Sequence, residues 1–215
     1  MKKVLAIVLV LCLVLGAAFA AKSSGIKVGA QLGYGGFSLK FSDKDDSNTY
    51  IKLSDGGFYF AGTVEFAFAE ELSAKAEVGM ILMGKANASI HAGGISYNWT
   101  ADDKMPAQFS MYAGAQYCIE VSKEFCVDLG VGFDVLMGKM DKDTDDTFNA
   151  AMGLGLEAVA AYHVNDQITV TAGGKFAWHF INTNKDLDDF IHDIGDSTKT
   201  SSTGYQIFAG IKYAL

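Results

Sequence analysis

Apolar residues in this chain recur at every second position. From Phe58 the alternate residues are Phe58, Phe60, Gly62, Val64, Phe66 and Phe68, with Tyr59, Ala61, Thr63, Glu65 and Ala67 between them. The same rhythm runs through Leu72–Leu82, Phe109–Val121, Phe125–Met137, Met152–Val164 and Ile168–Phe180. It also marks a first run, Ile26–Tyr34, and a last, Tyr205–Leu215. None of the apolar positions in these eight runs carries a charge, whereas the intervening face holds Lys27, Glu65, Lys75, Glu77, Glu120, Asp128, Asp134, Glu157, Lys175 and Lys212. A strand sends successive side chains to opposite faces, so the pattern predicts eight strands of a two-sided sheet. One irregularity falls at Gly35-Gly36, where the apolar phase moves from Tyr34 to Phe37, Leu39 and Phe41. A glycine β-bulge is expected there.

Alternation alone does not choose a solvent, but three further features do. The mixed face is rich in glycine, which suits the crowded inside of a narrow barrel better than a solvated surface. Aromatic residues gather near both ends of the runs, as in the two girdles of a membrane barrel. The connections also differ in length. Ala69-Glu70-Glu71, Ser122-Lys123-Glu124 and Asn165-Asp166-Gln167 are short, whereas residues 42–56, 84–107, 138–149 and 181–203 are long. Short turns on one side and long loops on the other are the habit of barrels that cross a bilayer. Each run matches the ~9–11 residues that a tilted strand needs to cross. Hydrocarbon also forbids an open edge, so the first strand must pair with the last. The fold class is therefore all-β, an eight-stranded antiparallel up-and-down transmembrane β-barrel. A soluble lipocalin-like barrel is the structural alternative.

Lys2 and Lys3, the apolar stretch Val4–Leu15 and Ala18-Phe19-Ala20 compose a signal peptide cleaved before Ala21. Residues 1–20 are thus expected to be removed, leaving 21–215 as the barrel. Losing Lys2 and Lys3 takes the formal charge from −8 to −10, a poor match for nucleic acid. All 17 basic residues are lysines, and Pro106 is the one proline. Cys118 and Cys126 remain after cleavage, in a compartment that permits disulfides.

With this architecture the chain resembles the small OmpA/OmpX-like outer-membrane barrels over nearly all of residues 21–215. The terminal strand Gly204-Tyr205-Gln206-Ile207-Phe208-Ala209-Gly210-Ile211-Lys212-Tyr213-Ala214-Leu215 looks like the C-terminal signal read by the outer-membrane assembly machinery. That family usually ends in Phe or Trp, where Leu215 stands here, with Tyr213 two residues before it. The peptidoglycan-binding domain of the longer OmpA proteins is not expected. The resemblance implies a bacterial outer-membrane location, outer-membrane lipid and the assembly machinery as partners, a monomer and no cofactor.

The short turns fix a register. If Phe68 faces Leu72, Glu65 faces Lys75; if Val164 faces Ile168, Glu157 faces Lys175, both pairs inside the barrel. Opposite charges across a ladder neutralise each other. Glu77, Glu120, Asp128 and Asp134 leave an acidic excess to be hydrated, protonated or paired with Lys27 and Lys212. Eight strands leave a lumen just wide enough for side chains, so a plug is the favoured reading and a gated narrow pore the other. Cys118 comes opposite Asp128, diagonal to Cys126; a register slip of two would bring the thiols face to face. No further metal ligand stands close to them in the sequence, so free thiols are expected.

The long loops concentrate acid: Asp43, Asp45 and Asp46, Asp102 and Asp103, Asp141, Asp143, Asp145 and Asp146, then Asp186, Asp188, Asp189, Asp193 and Asp196. Asp141, Asp143 and Asp145 form a weak Ca²⁺ candidate lacking the glycine and terminal Glu of an EF-hand, so a solvated loop is preferred. Ile90–Tyr97 reads as a hairpin turning at Gly93-Gly94. His179 faces inward near the long-loop end and His192 lies in an acidic loop, with no spacing that sets a nucleophile beside either. The expectation is a non-enzymatic barrel, filled inside, whose long acidic loops meet an unknown extracellular ligand or whose body supports the envelope. The alternative is a narrow channel or porin.

Overall fold

Eight strands close on themselves. The computed structural model describes residues 25–43, 48–139, 148–182 and 198–215. The expected signal peptide, His192 and loop residues Asp45, Asp46, Asp141, Asp143, Asp145, Asp146, Asp186, Asp188, Asp189, Asp193 and Asp196 lie outside the described residues. The strands are β1 (Ile26–Asp43), β2 (Tyr50–Ala67), β3 (Leu72–Met83), β4 (Lys85–Ala92), β5 (Ile95–Lys104), β6 (Gln108–Glu120), β7 (Phe125–Lys139), β8 (Phe148–His163), β9 (Ile168–Asn182) and β10 (Thr198–Ala214). Around the wall the order is β1, β10, β9, β8, β7, β6, β3, β2, and β2 returns to β1. Every pairing is antiparallel. Among the described residues, closure of these eight strands leaves no free edge at the level of the apolar outer face, as that face requires.

The short turns close where the alternation puts them. Phe68 N donates to Leu72 O at 3.1 Å, Val121 N to Phe125 O at 3.0 Å and Val164 N to Ile168 O at 2.9 Å. Asn165 Oδ1 accepts from Gln167 N and Ile168 N, tightening the third turn. These anchors carry the expected apolar runs outward, where Val78, Leu156, Trp178 and Ile207 are 60–68 % exposed.

β4 and β5 are additional strands, built from the segment expected as the second long loop. β3 breaks at Gly84, and β4 continues the wall against the outer part of β2, with Tyr50 opposite His91 and Ser54 opposite Asn87. The hairpin turns at Gly93 and Gly94, whose φ values of 57° and 82° are left-handed and favour glycine. Tyr50 and His91 stack with centroids 4.6 Å apart, fastening the hairpin to the wall. Other loops are also shorter than expected. β1 and β2 stay paired as far as Ser42 opposite Tyr50, and β10 begins at Thr198.

The bulge expected at Gly35-Gly36 is absent. Gly35 faces Gln206, Gly36 faces Tyr205 and Phe37 faces Gly204 in unbroken register. The apolar residues beyond it change side because the strand stays in phase: Phe37, Leu39 and Phe41 point inward. They pack with Ile81, Met83, Leu136, Ile51, Leu53 and Met105. In this outer third, Ser38, Lys40, Lys52 and Ser54 occupy the outward positions. Polarity therefore inverts along one continuous strand, apolar outside below Gly35 and apolar inside above it. A wall passing from hydrocarbon into water requires that reversal.

Leu39 is 2 % exposed in this upper core. Leu39→Ala should lower the stability of the refolded barrel by about 2–5 kcal/mol in a urea titration, the usual cost of such a cavity.

Candidate functional site

Below the apolar tier, the barrel's midsection holds charge. Lys75 on β3 pairs with Glu77 at 3.0 Å and with Glu157 on β8. Lys175 on β9 pairs with Glu77 at 2.8 Å and with Asp134 on β7 at 2.9 Å. Asp134 also lies 3.0 Å from His179 Nε2. Three carboxylates thus meet two ammonium groups and one imidazole, with side chains at most 4 % exposed. Following the strand order, Lys175 and Glu77 stand on opposite sides of the barrel, so their bond crosses the interior.

Neutral groups complete the cluster. Tyr59 donates its hydroxyl to Glu77 at 2.6 Å, and Gln116 Nε2 donates to Glu157 at 3.3 Å. Lys175 Nζ lies 4.8 Å from the Tyr112 ring centroid, within cation–π range. Inward glycines make room for that ring: a Cβ at Gly130 or Gly155 would stand 3.1 Å from a Tyr112 atom. Part of the glycine-rich inner face, at Gly114, Gly130 and Gly155, is therefore the complement of one large buried tyrosine.

The register places Glu65 opposite Lys75 and Glu157 opposite Lys175. The ion pairs nevertheless form elsewhere. Glu65 binds Lys212 of β10 at 2.5 Å, and Lys212 reaches Asp128 at 3.3 Å. Lysine side chains are long enough to leave their ladder partners and cross a narrow lumen, where several carboxylates compete for each one. Lys27 and Glu120 lie at the mouth on the short-turn side, around a cavity of about 210 Å³. Tyr213 and Leu215 face outward at the end of the chain.

Two groupings arise from the fold that the spacing does not suggest. Ser202 Oγ lies 3.2 Å from His179 Nδ1, making a chain Asp134–His179–Ser202. Its ring nitrogens are reversed relative to a hydrolytic triad, in which Nε2 faces the serine. Cys118 and Cys126 are free thiols, diagonal across β6 and β7 with Cys118 opposite Asp128. His163, which shares the inward phase of Val159 and Ala161, joins them, its Nε2 3.8 Å from Cys126 Sγ. The inward parity of position 163 is the signal that could have found it.

A closed antiparallel wall with an apolar outside and a charged, glycine-lined interior defines a small membrane-spanning β-barrel. The chain belongs to the outer membrane protein beta-barrel domain family, whose model matches residues 6–189. The family places it in the bacterial outer membrane. The crystal structure of Neisserial surface protein A is similar with a TM-score of 0.55 at 15 % identity, over 88 % of this chain and 97 % of that one. The outer membrane protease OmpT from Escherichia coli is similar with a TM-score of 0.56 at 8 % identity, over 91 % and 99 %. At these identities the likeness is one of fold. No curated protein matches the sequence.

Lys175→Ala would leave Glu77 and Asp134 short of a counter-charge in a buried setting. It should destabilise the barrel by about 3–5 kcal/mol in urea unfolding monitored on unheated gels. A variant as stable as the parent would remove Lys175 from the balance.

Proposed function

We propose that this chain is a non-enzymatic outer-membrane barrel whose midsection is sealed, and whose long-loop end meets a ligand outside the cell. In this reading the short turns face the periplasm and the long acidic loops face outward, as in other transmembrane barrels. The observation that carries the reading is the buried cluster of Lys75, Glu77, Asp134, Glu157 and Lys175. Its ion pairs cross the interior at a level where a conducting path would need water.

Two features support a surface role. The β4–β5 hairpin extends the wall beyond β3 and exposes Ile95, Tyr97 and Trp99. Apolar side chains on a projecting hairpin are a common contact surface. The acidic long loops would add charge selectivity, drawing basic partners and repelling acidic ones. One of the similar structures is itself described as a surface protein.

Chemistry at the interior serine is disfavoured by access. His179 and Ser202 are 1 % and 2 % exposed, and Asp134 is already committed to Lys175. A substrate carbonyl has no approach to that hydroxyl. Tyr213 and Leu215 point outward from the last strand, a position from which the assembly machinery could read them, and the barrel would work as a monomer.

Planar-bilayer recording tests the reading. The folded barrel, its state checked on an unheated gel, should give no discrete conductance steps. Steps that change in size when Glu157 or Lys175 is substituted would replace it with a narrow gated channel.

A further inference from the structure

At the short-turn end the interior changes character again. Cys118 on β6, Cys126 and Asp128 on β7 bring their ligand atoms within 4.8 Å of one another. Cys126 Sγ stands 3.7 Å from Asp128 Oδ1 and 3.8 Å from His163 Nε2 on β8. Two thiols, a carboxylate and an imidazole from three adjacent strands thus gather on the inner face, lining a mouth of about 210 Å³.

We propose that these four residues form a site for a thiophilic transition metal, with Zn²⁺ as the expected occupant. The separations around Cys126 suit it, and His163 would complete the set by closing on Cys118 and Asp128. Tetrahedral Zn²⁺ with bonds of roughly 2.3 Å to sulfur and 2.0–2.2 Å to nitrogen or oxygen holds its ligand atoms roughly 3.4–3.8 Å apart. Cys126 already stands at about that distance from both Asp128 and His163.

The surroundings are arranged as a metal's outer shell would be. His163 Nδ1 lies 2.9 Å from Thr169 Oγ1. Donation of Nδ1–H to that hydroxyl fixes the tautomer that leaves Nε2 free to ligate. Asp128 Oδ2 is held by Lys212 at 3.3 Å, leaving Oδ1 directed at Cys126. Glu65, Glu70, Glu71 and Glu120 line the same mouth and would draw a cation in. On binding, each thiol releases its proton to water and coordinates as a thiolate.

A disulfide is the competing use of the two cysteines. The ladder pairs Cys118 with Asp128 and Cys126 with Glu120, so the cysteines are diagonal neighbours. Diagonal positions in a sheet stand roughly 7–8 Å apart, beyond the usual span of a disulfide, whose Cα atoms lie about 4.4–6.8 Å apart. A metal bridges the sulfurs at that spacing without moving the strands. The site is independent of what the loops bind and of whether the midsection conducts.

The test uses the full-length chain exported to the outer membrane, extracted into detergent and kept reduced, with Co²⁺ as the optical probe and Zn²⁺ as competitor. One Co²⁺ per chain should produce a thiolate-to-cobalt charge-transfer band and the strong visible bands of a four-coordinate centre, both bleached by stoichiometric Zn²⁺. Cys126→Ser should lower the charge-transfer band, and loss of both thiols should abolish it. Thr169→Val, which touches no ligand atom directly, should weaken Zn²⁺ binding by about 10-fold or more. Heat-modified gel migration confirms that each variant is folded. If Cys126→Ser does not fold, alkylating both thiols in the folded parent removes both sulfur ligands and should erase the band. Absence of the band in the reduced parent, a band undiminished by loss of the Cys126 thiol, or an envelope-derived protein with Cys118 and Cys126 already joined would each overturn the proposal.

Discussion

The side chains of Glu77, Asp134 and Glu157 are buried inside the barrel, and the surrounding midsection is arranged around supplying their counter-charges. A buried carboxylate left unpaired is strongly destabilising, and a buried pair is tolerated only when its remaining hydrogen-bonding positions are filled. Lys75 and Lys175 answer the charge, while Tyr59, Gln116 and His179 answer the open hydrogen-bonding positions. Because the partners come from β3, β7, β8 and β9, the bonds act as spokes that tie opposite walls together. The glycines opposite Tyr112 belong to the same arrangement, since the ring that lies beside both lysines needs their missing side chains.

Above and below this level the interior follows its solvent. The outer third is built like a small soluble barrel, with Phe37, Leu39 and Phe41 inside and polar residues outside. The middle reverses that order because its outside faces hydrocarbon. At the short-turn end the interior opens into an acidic mouth that holds the cysteines. A single up-and-down topology therefore carries three kinds of interior, and strand direction stays the same throughout.

The wall was legible in the sequence because strand geometry has a period of two and three short turns fix three registers. Glu65 opposite Lys75 and Glu157 opposite Lys175 follow from those facts alone. The ion pairs were not legible. Ladder register specifies which Cα atoms oppose, but in a closed barrel a long side chain can reach walls far away in sequence, and Lys75 and Glu157 meet from β3 and β8. The shift of apolar phase at Tyr34–Phe37 is visible in the sequence, yet a bulge and a change of solvent along an unbroken strand produce the same pattern. Alternation records which positions are apolar without recording which side is wet. His163 and Ser202 share one explanation: each becomes chemically interesting only through neighbours on adjacent strands.

A double-mutant cycle on Lys75 measures the central claim directly, that its counter-charge comes across the lumen and not from the ladder. Stabilities of Lys75→Met, Glu157→Gln, Glu65→Gln and the two double variants, from urea titrations of the refolded barrel, supply both cycles. Lys75 with Glu157 should show a coupling of about 0.5–3 kcal/mol, whereas Lys75 with Glu65 should be additive within about 0.5 kcal/mol. Strong coupling to Glu65 with additivity at Glu157 would mean that the charges pair along the ladder, and the cross-lumen spokes would be wrong.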